Sequence, residues 1–425
     1  MEGSLASFWG IPSRGAKGIP VSVNRKNPAG GMLLRLNVSE KMKPPWLSRD
    51  ESPLVFFPEV SFDELEGTPL AWFLKDGRKI PAIARKGMKV TFNFDPEETI
   101  RFLISESYYV HEKPFYMKVP INYTSLPRFL RAFLNTLRIM AKKKDMPPFP
   151  SWPAEKSVEL IRWLFLRSVE QSIGRKPKTR PFWPDGRKYC VVLTHDVDSR
   201  SGMANVRETA ALEDSRGLKS CWNIVGDLYR IDHSLLADLI SRGHEIGLHG
   251  VRHDNRIAFL GRDGIKKRLS SCLDLVRKYS IRGFRSPSLL RSEDMFAVLK
   301  EHFDYDSSVP DTEKFSQISM LNGCCTVFPY SINGLVELPI TIPQDACLLK
   351  EMGPEKVLEV WRSKIKFVKQ AGGLVNICTH PDSFFSGTAE MKHVYSRLLD
   401  ELSSDKDAWL ALPRDAASHW RKSRM

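Results

Sequence analysis

Four short stretches carry side chains that bind metals or move protons, at spacings suited to joint action. Asp196 and Asp198 in CVVLTHDVDS stand two apart at the end of an apolar run. On a strand such side chains share a face, while Val197 takes the other. His249 and His253 in GLHGVRH are four apart, the spacing of one helical turn, which brings two imidazoles to a common ligand. Arg285 stands beside Pro287 in FRSPS, and His380 and Asp382 close NICTHPD. Each has an ordinary explanation alone: a DxD pair caps a helix or loop, and one histidine satisfies a polar neighbour. Together, each following its own apolar run, they describe a metal-dependent hydrolase. Two neutral imidazoles and one carboxylate form a common catalytic zinc set with a position open for water. A bound dication lowers that water's pKa from ~15.7 towards ~7. The other carboxylate can then take the water's proton and a histidine opposite can protonate the leaving atom. Arg285 would keep the base ionised, since a nearby cation lowers an acid's pKa. Spacing by itself gives either acid to the metal.

The elements that must position these groups follow from periodicity. From about 185 onward, apolar strand-like runs alternate with amphipathic helical ones. The expected strands are Cys190–Thr194, Ser220–Val225, Glu245–His249, Arg282–Arg285, Tyr305–Val309, Val336–Ile340 and Leu374–Thr379. Alternation of this kind implies parallel strands with right-handed crossovers. About seven units suit a distorted (β/α) barrel, with its chemistry at the C-terminal strand ends. Ahead of it, residues 49–145 read as a small α/β domain of unknown role, with SPLVFFP as a strand and Asp76-Gly77 as a hairpin turn. A helix is expected from Asp95 as N-cap, with Pro96 at its first position. Residues 1–48 read as a loose lead-in without clear period. Residues 126–145 form a basic amphipathic pattern with Phe129, Phe133, Leu137 and Met140 on one face. A Pro-rich linker and helix, 146–184, leads to the barrel, 185–425.

The chain of 425 residues exceeds one ordinary core. Its 42% hydrophobic and 27% charged content is that of a globular protein, which excludes a fibrous or wholly disordered chain. The net charge of +14 is scattered. It suits a phosphate-bearing substrate or weak contact with an anionic membrane surface, without a specific nucleic-acid signature. Seven cysteines, none in a CxxC pair, point to a reducing compartment. With no apolar leader and no long apolar run, the expected location is cytoplasmic.

At THDVD, HEIGLHGVRH, GFRSP, YDSS, ELPIT and THPD the sequence resembles the polysaccharide deacetylase superfamily, the NodB-homology domain, over roughly 185–415. The resemblance implies a distorted (β/α) barrel and a divalent metal, usually zinc, used to hydrolyse N-acetyl or sometimes O-acetyl groups on sugars. It implies Asp196 as catalytic base and Asp198, His249 and His253 as metal ligands. Arg285 would orient the base, His380 would act as general acid, and the Ser288 peptide nitrogen would be an oxyanion donor. Pro287 and Pro339 would line the substrate pocket. Four departures stand out. Val197 separates the two acids, and Gly250 follows His249 where Ser or Thr is usual. Ser288-Leu289 replaces an aromatic-glycine pair, and Cys378 stands where leucine is common. His195 is expected to pack behind the site, and His233, His244, His302, His393 and His419 to lie on surface or loops.

The expected function is thus a metal-dependent carbohydrate N-deacetylase, acting on a nucleotide- or lipid-linked sugar of polysaccharide synthesis. A deformylase or other amidase would use the same machinery. A glycan-binding protein with a vestigial site is the non-enzymatic alternative, and intact acids, histidines and arginine speak against it. Oligomeric state is not legible.

Overall fold

The computed structural model describes residues 21–109, 149–177, 181–314 and 321–424. The amphipathic stretch 126–145 lies outside them. The chain is a mixed α/β protein built on two large sheets. The first runs in the order β1-β6-β5-β4-β2-β3, with β1 (Val21–Val23), β2 (Ala29–Val38), β3 (Leu54–Val60), β4 (Thr68–Lys75), β5 (Arg78–Lys86) and β6 (Lys89–Phe92). The β4–β5 hairpin turns at Asp76-Gly77, both at positive φ (49° and 72°), as a two-residue type I′ turn requires. Helix Pro96–Ile104 starts where its sequence says, with the Asp95 carboxylate accepting from the Glu97 and Glu98 N–H groups. Residues 21–48 were expected to be loose, but 21–38 supply β1 and β2. β2 pairs with both β3 and β4 and buries Leu34, Leu36 and Val38 on one face. That alternation is short, and the Gly30-Gly31 pair before it masks it.

The second sheet runs β14-β15-β11-β10-β9-β8-β7-β16, with β17 also paired to β7. Its strands are β7 (Tyr189–Val197), β8 (Ser220–Ile224), β9 (Glu245–Leu248), β10 (Gly283–Phe284), β11 (Tyr305–Asp306), β14 (Tyr330–Ile332), β15 (Leu335–Glu337), β16 (Leu374–Thr379) and β17 (Ala408–Leu410). β12 (Glu313–Lys314) pairs antiparallel with β13 (Leu321–Asn322) apart from both sheets. From β15 through β11, β10, β9, β8 and β7 to β16 every pairing is parallel, so the expected strands stand side by side. All nine residues of β7 are buried, as in a parallel sheet covered on both faces.

Closure is incomplete. Among the described residues no ladder joins β15 to β16. The run after β15 instead reaches β16 through one backbone bond, Ile342 N–H to the Asn376 carbonyl at 3.2 Å. Thr341 completes the seam, its hydroxyl donating to the Leu374 carbonyl (2.6 Å) and accepting from the Asn376 N–H (2.9 Å). Pro339 and Pro343 explain this, because proline removes ladder donors. The sheet is therefore a curled, open one. Its outer side shares one apolar core with the first sheet and with helices Ser157–Ile173 and Pro354–Ala371. All seven cysteines are free. No helix among the described residues is long and apolar enough to cross a membrane.

Candidate active site

Parallel pairing puts the C-terminal strand ends on one rim. Asp196 stands opposite Asn223, Ile224 opposite Leu248, Leu248 opposite Phe284, and Thr379 opposite His195. Every residue that follows those ends is delivered to the same place.

Asp198, His249 and His253 meet there. The Asp198 Oδ1 atom lies 3.2 Å from His249 Nε2 and 3.3 Å from His253 Nε2. The His249 Nδ1–H donates to the Arg285 carbonyl at 3.1 Å, which fixes the tautomer with its Nε2 lone pair facing Asp198. Asp198 Oδ1 is buried without a conventional hydrogen-bond partner. A buried carboxylate oxygen converging with two imidazole nitrogens fits a divalent metal, since buried charge needs a partner. Burial would raise the Asp198 carboxyl, but the charge on His253, with the close approach of the imidazole rings, holds it well below the usual carboxylate range. The i, i+4 histidine pair is not on a helix, contrary to its spacing: residues 249 and 250 are irregular and 251–255 bend. Gly250 sits at φ +63°, and a Cβ there would meet Pro287 Cδ at 2.7 Å. A serine or threonine at that position cannot be accommodated against Pro287 as it stands.

Asp196 shares this face but has other partners. Its Oδ1 accepts from Arg285 (3.0 Å) and from the Asn223 amide (2.8 Å), and its Oδ2 lies 3.8 Å from His249 Nε2. Burial works against its charge, but Arg285, followed by His249 and His380, lowers its pKa to about 2. Arg285 is itself buried and pinned by Thr194 Oγ1 and by the Ser307 carbonyl and hydroxyl, each at 2.8 Å. Asn223 was not singled out from sequence. A lone amide inside the apolar run SCWNIV was the available signal, and Gly247 makes room for it: a Cβ there would stand 2.1 Å from Asn223 Oδ1.

Across from these acids, His380 Nε2 lies 3.9 Å from Asp198 Oδ2. Its Nδ1 bonds Asp345 Oδ1 at 2.7 Å and its backbone N–H donates to Asp345 Oδ2 at 2.9 Å. Burial opposes a charge on His380, yet Asp345 and then Asp198 and Asp196 raise its pKa to about 10. Asp345 is a second residue that sequence reading missed. It follows the strand-like run ELPITIPQ, so an acid after a strand end was its signal.

Pro287, Ser288 and Leu289 form a single turn after β10, with Ser288 and Leu289 at φ 51° and 53°. Left-handed backbone at two successive non-glycine residues costs of order 1–3 kcal/mol each and persists where surroundings impose it. Pro339 is buried beyond the end of β15. Asp382 accepts from the hydroxyl of Ser199, the N-cap of helix Arg200–Asp214. His195 faces away from the site, stacked on Trp222 at 4.1 Å and bonded to Glu213 and Thr379, each at 2.7 Å. His244 is buried rather than on the surface, because Ser220, Asp214 and Glu213 surround its ring. Phe384 is 61% exposed, and Phe385 beside it packs 5.7 Å from the His380 ring. A cavity of about 470 Å³ lies elsewhere, between helix Pro96–Ile104 and Arg291, Phe296 and Tyr330.

No protein-family model matches the sequence, and no curated protein matches it. Several solved structures are similar to part of the chain. One, described as a polysaccharide deacetylase from Mycobacterium smegmatis, is 21% identical, covers 57% of this chain and 93% of its own, and has a TM-score of 0.48. A second, described as a polysaccharide deacetylase from Pseudomonas aeruginosa PAO1, is 14% identical over 58% of this chain and 95% of its own, with a TM-score of 0.47. A third, an allantoinase, is 12% identical over 58% of this chain and 94% of its own, with a TM-score of 0.46.

Proposed function

We propose that this chain is a metal-dependent hydrolase that removes N-acetyl groups from a carbohydrate. The observation that carries the reading is the meeting of Asp198 Oδ1 with His249 Nε2 and His253 Nε2, with Asp196 and His380 beside them. Asp198, His249 and His253 would hold the metal, which when bound supplies a Lewis acid and a water acidic enough to attack near neutral pH. Asp196, kept ionised by Arg285, accepts the proton of the attacking water. The Ser288 N–H, in its left-handed turn, would donate to the oxygen that gains charge as the amide carbonyl is attacked. His380, kept protonated by Asp345, donates to the sugar nitrogen as the C–N bond breaks. One water is consumed, and acetate and a free amine leave. Pro287 and Pro339 line the acyl side, and Phe384 offers an exposed ring to a sugar face.

Zinc suits the two-imidazole, one-carboxylate set. Seven free thiols favour a cytoplasmic location, and the positive charge favours a nucleotide- or lipid-linked sugar with weak membrane-surface contact. The test is metal analysis of the purified protein together with acetate release from N-acetylated sugars and sugar nucleotides. Stoichiometric metal with acetate release supports the reading. A protein that binds glycan but neither metal nor acyl substrate overturns it.

A further inference from the structure

Beside the first donor set lies another of different chemistry. Asp196, Cys378 and His380 each offer a ligand atom, and these atoms lie within 4.8 Å of one another. Cys378 Sγ is 3.4 Å from Asp196 Oδ2 and 3.9 Å from Gln344 Oε1, and the residue is buried. The Asp198–His249–His253 set contains no sulfur, whereas this one presents a thiol, a carboxylate and an imidazole. Thiolate selects thiophilic cations such as zinc and cadmium over calcium or magnesium. The orientation of His380 also suits a ligand: its Nδ1 is taken by the Asp345 carboxylate at 2.7 Å, which leaves Nε2 available, as metal-bound imidazoles require.

We propose that Asp196, Cys378 and His380 form a second, inhibitory site for a thiophilic divalent cation. It rests on the functional reading above in one respect, that Asp196 and His380 are the base and the acid. A cation held here takes the lone pair that Asp196 needs for the water's proton and the Nε2 position from which His380 donates one. Binding displaces two protons to solvent, one from the Cys378 thiol and one from His380 Nε2, since both ligand atoms must be deprotonated to coordinate. Without a cation, burial pushes the Cys378 thiol well up, so it remains a neutral donor towards Asp196 and not a nucleophile. The site is then active with one equivalent of metal and silent with two.

Cobalt titration of the metal-free protein separates the two sets, because only a thiolate ligand gives sulfur-to-cobalt charge-transfer absorption. The wild type should show d–d bands alone at the first equivalent and the charge-transfer band at the second. Turnover should fall on the order of 10²-fold or more as the second fills, since acid and base are both withdrawn. Cys378→Ala and Cys378→Val should bind one equivalent, show no charge-transfer band and resist excess zinc or cadmium. A second equivalent without that band, or inhibition unchanged in both Cys378 variants, overturns the proposal. In His249→Ala/His253→Ala the band should persist although the first equivalent is lost. That result supports the second site whatever the substrate proves to be, and loss of the band there overturns an independent site. Absence of acetate release at one equivalent of metal, with the charge-transfer band still appearing at the second, would sink the functional reading alone.

Discussion

Asp196 and Asp198 share a face and a short stretch of chain, and their partners set them apart. A guanidinium and an amide hold Asp196, whereas two imidazoles converge on Asp198. Asp196→Asn should therefore keep its metal and lose ~10²–10⁴ in rate, the usual worth of general acid–base catalysis. Asp198→Asn should bind metal more weakly and, with Cys378→Ala beside it to spare the second set, recover part of its turnover when zinc is added. Metal titration with turnover at saturation checks both, and rescue of the Asp196 variant alone would exchange the roles. His380 gives a pH prediction. Burial lowers its pKa and Asp345 more than restores it, to about 10. A histidine raised in the folded state contributes stability below its free value, about 6.5, and loses it as pH rises through the folded value. The donating form follows the same window, so the alkaline limb of kcat/KM reports it. In Asp345→Asn that limb should move to lower pH and Tm should become less sensitive to alkali. An unmoved limb would remove Asp345 from the catalytic arrangement.

The loops after the strands, more than the strands, bring the groups together. Gly250 lets the chain bend so that His249 and His253 reach one point without a helical turn, and it leaves room for Pro287. Gly250→Ser must put a side chain at φ +63° and push Pro287 away. The variant should lose about 1–3 kcal/mol of stability. It should also lose kcat beyond that, because the displaced turn carries Ser288. Urea unfolding and kinetics measured side by side check this, and full activity at wild-type stability would show that the turn tolerates a serine. The Thr341 hydroxyl plays a comparable part at the sheet seam, standing in for ladder bonds that two prolines cannot make.

The two halves of the chain meet through a common core and through the buried Glu106–Arg291 ion pair. Arg291, 3% exposed, is clamped by both oxygens of Glu106, with Nε to Oε2 at 2.6 Å. The same guanidinium donates to Asn322 and to the Leu289 carbonyl, each at 2.8 Å. The first half of the chain thus reaches the turn that carries Ser288. Removing one partner of a buried pair leaves an uncompensated charge and costs roughly 3–5 kcal/mol. Glu106→Ala should lower the unfolding free energy by that amount and reduce turnover with metal content unchanged. Denaturant unfolding, elemental analysis and acetate release check it, and wild-type turnover would show that the first sheet only covers the second.

Much of the second sheet was legible in the chain, because its strands are buried on both faces and read as unbroken apolar runs. Asp196, Asp198, His249, His253, Arg285 and His380 were legible for the same reason: parallel strands put their C-terminal ends on one rim, so polar residues after apolar runs must collect there. Residues 21–38 were not legible, since their short alternation becomes a strand only when β3 and β4 bury it. Asn223 and Asp345 were missed because an amide within a strand and an acid after a proline have no distinguishing pattern. Their role exists only in the distance to Asp196 and His380. The separation of the two acids belongs to the same class. Sequence put both on one face, and tertiary packing, by placing Arg285 against one and two imidazoles against the other, gave them different electrostatic surroundings.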